Sequence, residues 1–469
     1  MAHHFANIPA HLLMWQRVRE YAVPPSMIET ATARRAVGDW AGACASARID
    51  IDFDLRAVRH RYGTEFVTRL RADLRRLAPD LLRWHMPRVA PHGRLRPGLT
   101  ISLSRYDSSG TTPLQLVVRT PPAWADAGQR MSLAIWDEHG DGAPSHHPHP
   151  HPTRRFRLDL HRHLWDASRC GELASRCGAD TALVAASTDR PHALARVEGQ
   201  AGPDPSDVSD YPWAPARWAA EAEVLLRAEG DSRGVFTVRL GARDRRAFEL
   251  VAPDDHHVPT FRPLRETLPP QVCAALPVLP EAAARILPDL ALLRAGLVAA
   301  DRLHPLVGRA LSASGAEPAP SPEHQPGDPH TVECRGDVHR IALRDGVLTA
   351  VDHDPAQLRR EQLLVALGGP GLPCLRAIDA VHRAPEALPA VRERLGHGDV
   401  SGALAVVEGL LGPGAVLRDG PLRETLESAA ARRFDQGLFR SGLRPVHPPA
   451  TRPIRRGRAR LRTGPARAN

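Results

Sequence analysis

Along residues 1–92 the apolar positions recur at three- and four-residue intervals, the spacing of one helix face. Ser26 and Glu29 have capping-box spacing after Pro24-Pro25, and Met27-Ile28 opens an apolar face, so a helix is expected to begin there. Gly38 should stop it and Asp39 should cap the next one. Phe66, Leu70, Leu74 and Leu77 share one face of a longer helix near 64–77, and Leu81, Leu82 and Trp84 form a last turn between Pro79 and Pro87.

From about Gly98 the period shortens to two. Leu99–Leu103, Leu114–Val118 and Met131–Trp136 are short, β-rich and bounded by Gly, Pro or Asp. Phe156–Leu160 alternates cleanly, and Thr181–Ala186, Val235–Leu240 and Phe248–Val251 add candidate strands. Residues 270–312 return to a helical pattern. The segment 315–330, rich in proline, reads as a linker. After it, turn signals at Arg335-Gly336-Asp337 and Asp345-Gly346 separate three strands, Thr331–Cys334, Val338–Leu343 and Val347–Val351. Helices follow to about Leu443.

The expected class is α+β and multidomain. It comprises a helical part over 1–92, a β-rich domain with Pro/His-rich loops over 93–262, and a helical segment over 263–314. The linker 315–330 leads to a β-meander followed by helices over 331–446, and then to an Arg-rich tail, 447–469, expected to be disordered.

Composition changes the picture in two ways. All 62 basic residues are arginine, because the chain contains no lysine, which excludes a P-loop lysine, a Schiff-base lysine and a Ser-x-x-Lys pair. Seven arginines and no acid lie between Pro448 and Asn469; taking seven from the formal charge of +9 leaves +2 on the other 447 residues. The tail arginines Arg452, Arg455, Arg456, Arg458, Arg460 and Arg462 are candidates for binding nucleic acid or an acidic partner. With no interleaved aromatics there is no stacking platform, so any such binding should be salt-sensitive and indifferent to sequence. The six cysteines include no C-x-x-C pair and read as reduced thiols. The N-terminus lacks the pattern of a signal peptide, and no run of about 20 apolar residues exists, so a cytoplasmic location is expected.

One pattern occurs twice. Gly38-Asp39-Trp40-Ala41-Gly42-Ala43-Cys44-Ala45 matches Gly398-Asp399-Val400-Ser401-Gly402-Ala403-Leu404-Ala405. Each reads as a helical hairpin in which Gly ends one helix, Asp caps the next, and small residues allow close packing. The turn resembles tetratricopeptide-type hairpins, which implies partner binding, although the 34-residue tandem period of that family (about 34 residues) is missing. On Asp39-Trp40 with its flanks, Leu77–Trp84 and Val351-Asp352-His353-Asp354, the chain also resembles an uncharacterised family from high-GC bacteria. No activity attaches to that family, so the resemblance transfers no site.

Several clusters could carry chemistry. Asp159, His161 and His163 would share one face of a strand, an arrangement able to bind Zn or another divalent transition metal. If Phe156, Leu158 and Leu160 face the core, that His face is solvated. His146-His147-Pro148-His149-Pro150-His151 reads as an extended loop without a fixed ligand geometry. Asp254-Asp255-His256-His257 falls in a Pro-bounded loop. Asp354 before Pro355 is a helix start, leaving Asp352 and His353 at a strand end. Cys374 follows Pro373 at a helix start, where the dipole favours a thiolate, or it is a buried structural thiol. No H-E-x-x-H, G-x-S-x-G or G-x-G-x-x-G motif is present. The expectation is a non-catalytic adaptor or accessory protein without a cofactor, acting through protein–protein contacts. Its alternatives are a metal-dependent enzyme centred on Asp159, His161 and His163, and nucleic-acid binding through the tail.

Overall fold

The structure is a computed structural model that describes residues 8–443, apart from 109–110, 139–146, 180–211, 232–233, 242–243, 252–258, 265–267, 313–329 and 335. The chain is α+β. Five helices open it: α1 Ala10–Tyr21, α2 Pro25–Ala36, α3 Trp40–Ser46, α4 Leu55–Arg76 and α5 Pro79–His85. Pro25 takes the first helical position of α2 with Pro24 as its N-cap, so Ser26 lies inside the helix and makes no capping bond. Helix α4 begins earlier than its apolar spacing predicts and changes direction at Gly63, where φ is +85°.

A four-stranded sheet in the order β1-β6-β5-β4 packs against these helices. Its strands are β1 Ile49–Ile51, β4 Thr100–Ser108, β5 Thr111–Arg119 and β6 Met131–Trp136; β1 runs parallel to β6 and the other pairs are antiparallel. The expected middle strands are therefore present, but a strand from the helical region completes their sheet. A two-stranded ribbon, β2 Arg88–Val89 with β3 Arg94–Leu95, lies between α5 and the sheet.

One cluster of buried residues runs from Val18 to Leu311, across the expected boundaries at 92/93 and 262/263. A second is built on β7 Gly234–Arg239, β8 Arg245–Val251 and β9 Thr260–Pro263, covered by α6 Pro215–Ala228, with Trp218 and Phe236 fully buried. Helix α7, Pro288–Arg294, returns to the first cluster through Leu290.

The C-terminal region has the expected meander: β10 His330–Cys334, β11 Asp337–Arg344 and β12 Val347–Ala350. Asp345 and Gly346 both have positive φ, as a two-residue hairpin turn of this hand requires. Helices α8 Pro355–Ala366, α9 Pro373–Arg383, α10 Leu388–Gly396, α11 Val400–Leu411 and α12 Pro421–Arg440 follow. Asp354 caps α8 by accepting from the Ala356 N–H at 3.1 Å. Among the described residues no helix is long and apolar enough to cross a membrane.

Candidate functional site

The segment 156–164 does not form a strand. After a single bridge from Arg157 to Ser102 the chain turns, and Arg162–Leu164 form one turn of 3-10 helix. Phe156 and Leu158 enter the main core while Leu160 packs on the second cluster, so the alternating apolar positions reach two different cores. Asp159, His161 and His163 consequently do not line one strand face, and neither histidine is solvated: they are 1% and 3% exposed.

Each of the three has its own surroundings. The Asp159 carboxylate is gripped by the Arg157 guanidinium, at 2.7–3.1 Å. His161 Nδ1 lies 2.8 Å from the Arg157 carbonyl and Nε2 lies 3.2 Å from Glu221, so both ring nitrogens face acceptors. Burial would raise the Glu221 pKa, but hydrogen bonds from His161 and Arg176 outweigh it and hold the carboxyl far below its usual range. Burial, and then the charge of His161, drive His163 well below an ordinary histidine. Between them Arg162 turns the other way, onto Asp73 at 2.6 Å and Asp166 at 3.0 Å. Among the described residues no group of three or more His, Cys, Asp or Glu is arranged to hold a metal ion.

The same segment forms one wall of a cavity of about 170 Å3, between α1, the end of α5 with β2, and the stretch 281–288. Its apolar lining includes Met14, Trp15, Phe156, Leu158, Leu164, Ile286 and Leu287, and five arginines also face it: Arg19, Arg88, Arg96, Arg157 and Arg285.

Three of these guanidinium groups are already neutralised. Arg19, buried in α1, holds Asp289 through two bonds of 2.9 and 2.7 Å and donates to the Trp84 carbonyl. It stacks over the Trp15 and Trp84 rings at 4.9 and 4.5 Å. The Trp84 indole N–H also donates to Asp289, which lies in the first turn of α7, where the helix dipole favours an anion. Burial alone would raise Asp289; the charge of Arg19 and the bonds from Arg19 and Trp84 prevail and keep it ionised. Arg157 is paired with Asp159 and Glu229, and Arg285 lies 3.7 Å from Glu281 and stacks on Trp213.

Arg88 differs. Its guanidinium donates to the carbonyl oxygens of Arg83, at 2.7 Å, and Gly93, at 3.5 Å, and its buried Nε has no partner. Among the described residues no carboxylate offsets its charge. Burial, followed by repulsion from Arg19, brings its pKa down to about 9, which still leaves it cationic at neutral pH. Beside it, His85 Nδ1 is 3.0 Å from the Leu164 carbonyl while Nε2 is buried with no partner, 3.9 Å from Asp289. Burial is the largest influence on His85 and lowers its pKa to about 4, so the ring is neutral at pH 7. A carbonyl only accepts, so the proton sits on Nδ1 and Nε2 presents a lone pair.

Arg19, the pair His85 and Arg88, and Asp289 carry no motif, since they come from three stretches of chain up to 270 residues apart. The one local signal is the run Pro79–Trp84, in which Asp80 and Arg83 are both fully buried among apolar neighbours. Among the other candidates, His147 is a structural residue whose ring nitrogens meet the Thr120 and His149 carbonyls. Asp352 is ion-paired with Arg340, and His353 packs on His339. Burial, and then the Cys334 thiol, push Cys374 up to about 11, so the helix start does not yield a thiolate. His146, Asp254, Asp255, His256, His257, Thr181–Ala186 and the arginines Arg452, Arg455, Arg456, Arg458, Arg460 and Arg462 lie outside the described residues. No family model matches this chain, and no curated protein or solved structure is similar to it.

Proposed function

We propose that the chain is a non-catalytic binding protein whose cation-lined cavity takes a small organic anion. The observation that carries this reading is Arg88, a buried guanidinium beside a cavity, with no counter-charge among the described residues. A buried charge left without an opposite partner destabilises the fold, and a ligand anion would supply that partner. The apolar lining would hold the ligand body. Calorimetric titration with benzoate, its neutral isostere benzamide, and an Arg88→Met variant tests the reading. Benzoate should bind, benzamide should bind at least tenfold more weakly, and Arg88→Met should remove the difference; equal binding of the two probes by the unaltered protein would refute it.

A second reading, an adaptor acting through protein contacts, has its own support. Among the described residues, eleven of the fifteen exposed large hydrophobic side chains fall within 331–443, among them Leu363, Leu364, Val365 and Leu367 on and just after α8. The exposed apolar run on and after α8 supports a reading of this region as an interaction surface. Replacing Leu363, Leu364 and Leu367 by serine should leave the melting temperature nearly unchanged while abolishing any partner complex of the C-terminal region. A complex that survived the triple replacement would count against this surface.

A further inference from the structure

Resting on the anion-binding reading, we infer that the ligand of the cavity is a compact hydroxycarboxylate with an aromatic or branched apolar body, its carboxylate on Arg88 and its hydroxyl donating to His85 Nε2.

Size sets the first limit. The cavity of about 170 Å3 is little larger than an apolar cavity of about 150 Å3 that holds benzene, so the body is one ring or a branched chain. Charge sets the second. Asp289 neutralises Arg19, Asp159 and Glu229 neutralise Arg157, and Glu281 lies at Arg285, so the charge that an anion in this cavity would meet is that of Arg88, which has no carboxylate among the described residues. A single carboxylate matches that charge better than a phosphate dianion, whose second charge would meet Glu281 in the same wall. The third limit comes from His85. With its proton committed to the Leu164 carbonyl, Nε2 is an acceptor, and the Asp289 oxygen 3.9 Å away is an acceptor as well. Two buried acceptors face each other with no hydrogen between them. A ligand hydroxyl placed there donates to Nε2 and satisfies it; a ligand without a donor leaves it unsatisfied. A site with a waiting buried acceptor discriminates against the analogue that lacks the group.

Calorimetric titration of the full chain with benzoate, 3-hydroxybenzoate, 4-hydroxybenzoate and inorganic phosphate tests the inference, in the unaltered protein and in His85→Leu. At least one hydroxybenzoate should bind about tenfold more tightly than benzoate, by the worth of one buried hydrogen bond. Phosphate should bind more weakly than either. In His85→Leu the hydroxyl advantage should disappear while benzoate binding persists, which separates loss of the acceptor from loss of the fold. Should that variant unfold, His85→Gln, whose amide oxygen can still accept, should retain part of the advantage. If benzoate and the hydroxybenzoates bind equally, the anion site stands and the hydroxycarboxylate inference is overturned. If phosphate binds most tightly, the ligand class is wrong. If no probe binds, the cavity reading itself fails.

Discussion

The corner at Gly38-Asp39 and the corner at Gly398-Asp399 have the same backbone. The glycines have φ of +76° and +82°, and the aspartates have φ/ψ of −80°/73° and −80°/71°. In both, the aspartate N–H donates back to an arginine carbonyl five residues earlier, Arg34 or Arg394, and the carboxylate accepts from the third helical N–H, of Gly42 or Gly402. That same arginine then closes on the capping carboxylate, at 3.1 and 2.8 Å. The cap explains the second glycine of the pattern: a Cβ on Gly42 or Gly402 would lie 2.1 or 2.0 Å from the carboxylate oxygen. Each corner joins two packed helices, α2 with α3 and α10 with α11.

Their surroundings are opposite. The first corner is bare: Val37 is 79% exposed and nothing lies within 4 Å of a Cβ on Gly38. The second is covered by the N-terminal body. His397, the counterpart of Val37, is 1% exposed and stacks with Tyr21, and Arg48 reaches its carbonyl at 3.0 Å and Asp399 at 3.3 Å. Arg48 follows α3, so the first hairpin supplies the side chain that clasps the second. Local sequence therefore determines the geometry of such a corner, whereas its energetic weight is set by what covers it.

Glycine substitutions give the largest expected contrast. A Cβ on Gly398 would lie 2.2 Å from the Gly128 carbonyl oxygen, besides requiring a positive φ. Gly398→Val should cost about 4 kcal/mol or more, by strain and a backbone clash that cannot relax, and should release the C-terminal hairpins from the body. Gly38→Val meets only the strain and should cost about 1–3 kcal/mol. Urea unfolding of both variants measures the difference. Equal costs would show that the covering contacts contribute nothing.

The capping aspartates come next. Asp39→Ala removes an N-cap whose side chain is 37% exposed and should cost about 0.5–2 kcal/mol. Asp399 is buried and holds Arg48 and Arg394 as well as the cap, so Asp399→Ala should cost about 2–4 kcal/mol. In an Arg48→Met background the second cost should fall toward the first. If it does not, the clasp carries no energy and the excess belongs to burial alone.

These corners were legible because every determinant lies within about ten residues. The arginine five positions before each aspartate is a local determinant of the same kind. Strand β1 was not legible: three residues, Ile49-Asp50-Ile51, carry too little periodicity, and their partner is Met131–Leu133, some 80 residues away. At 156–160 the alternation correctly signalled burial of Phe156 and Leu158 but not a strand, because the Trp165 indole donating to the Leu158 carbonyl and the Arg157–Asp159 pair fit a turn. Histidine reads as polar in such a pattern, so burial of His161 and His163 had no signal. The cavity was illegible for a stronger reason. Its charged residues are matched only in space, and an unpaired Arg88 has the same local sequence as a solvated one.

The smallest expected effect concerns pH. Burial, followed by the charges of Arg88, Arg83, Arg94 and Arg17, lowers His397 to about 3, while the Glu393 carboxylate, at 3.7 Å, opposes them. The folded state therefore keeps this ring neutral, whereas the unfolded chain protonates it around its ordinary pKa of about 6.5. Below that value the unfolded state binds the extra proton, so stability falls as pH drops from about 6.5 toward 3. At pH 5 the loss attributable to His397 should be about 1–2 kcal/mol relative to pH 7. His85, at about 4, titrates in the same sense and contributes in parallel, so the unaltered protein will show more than one group. His397→Leu isolates the corner: the difference in unfolding free energy between it and the unaltered protein should move in favour of the variant as the pH is lowered from 7 to 5. The matching change at the bare corner, Val37→His, places an imidazole in solvent, where it keeps its ordinary pKa in both states and adds no slope. Urea midpoints at the two pH values, for all three proteins, give the answer. If Val37→His steepened the acid limb as much as His397→Leu relieves it, the first corner would be covered in solution, and the contrast between the two would be lost.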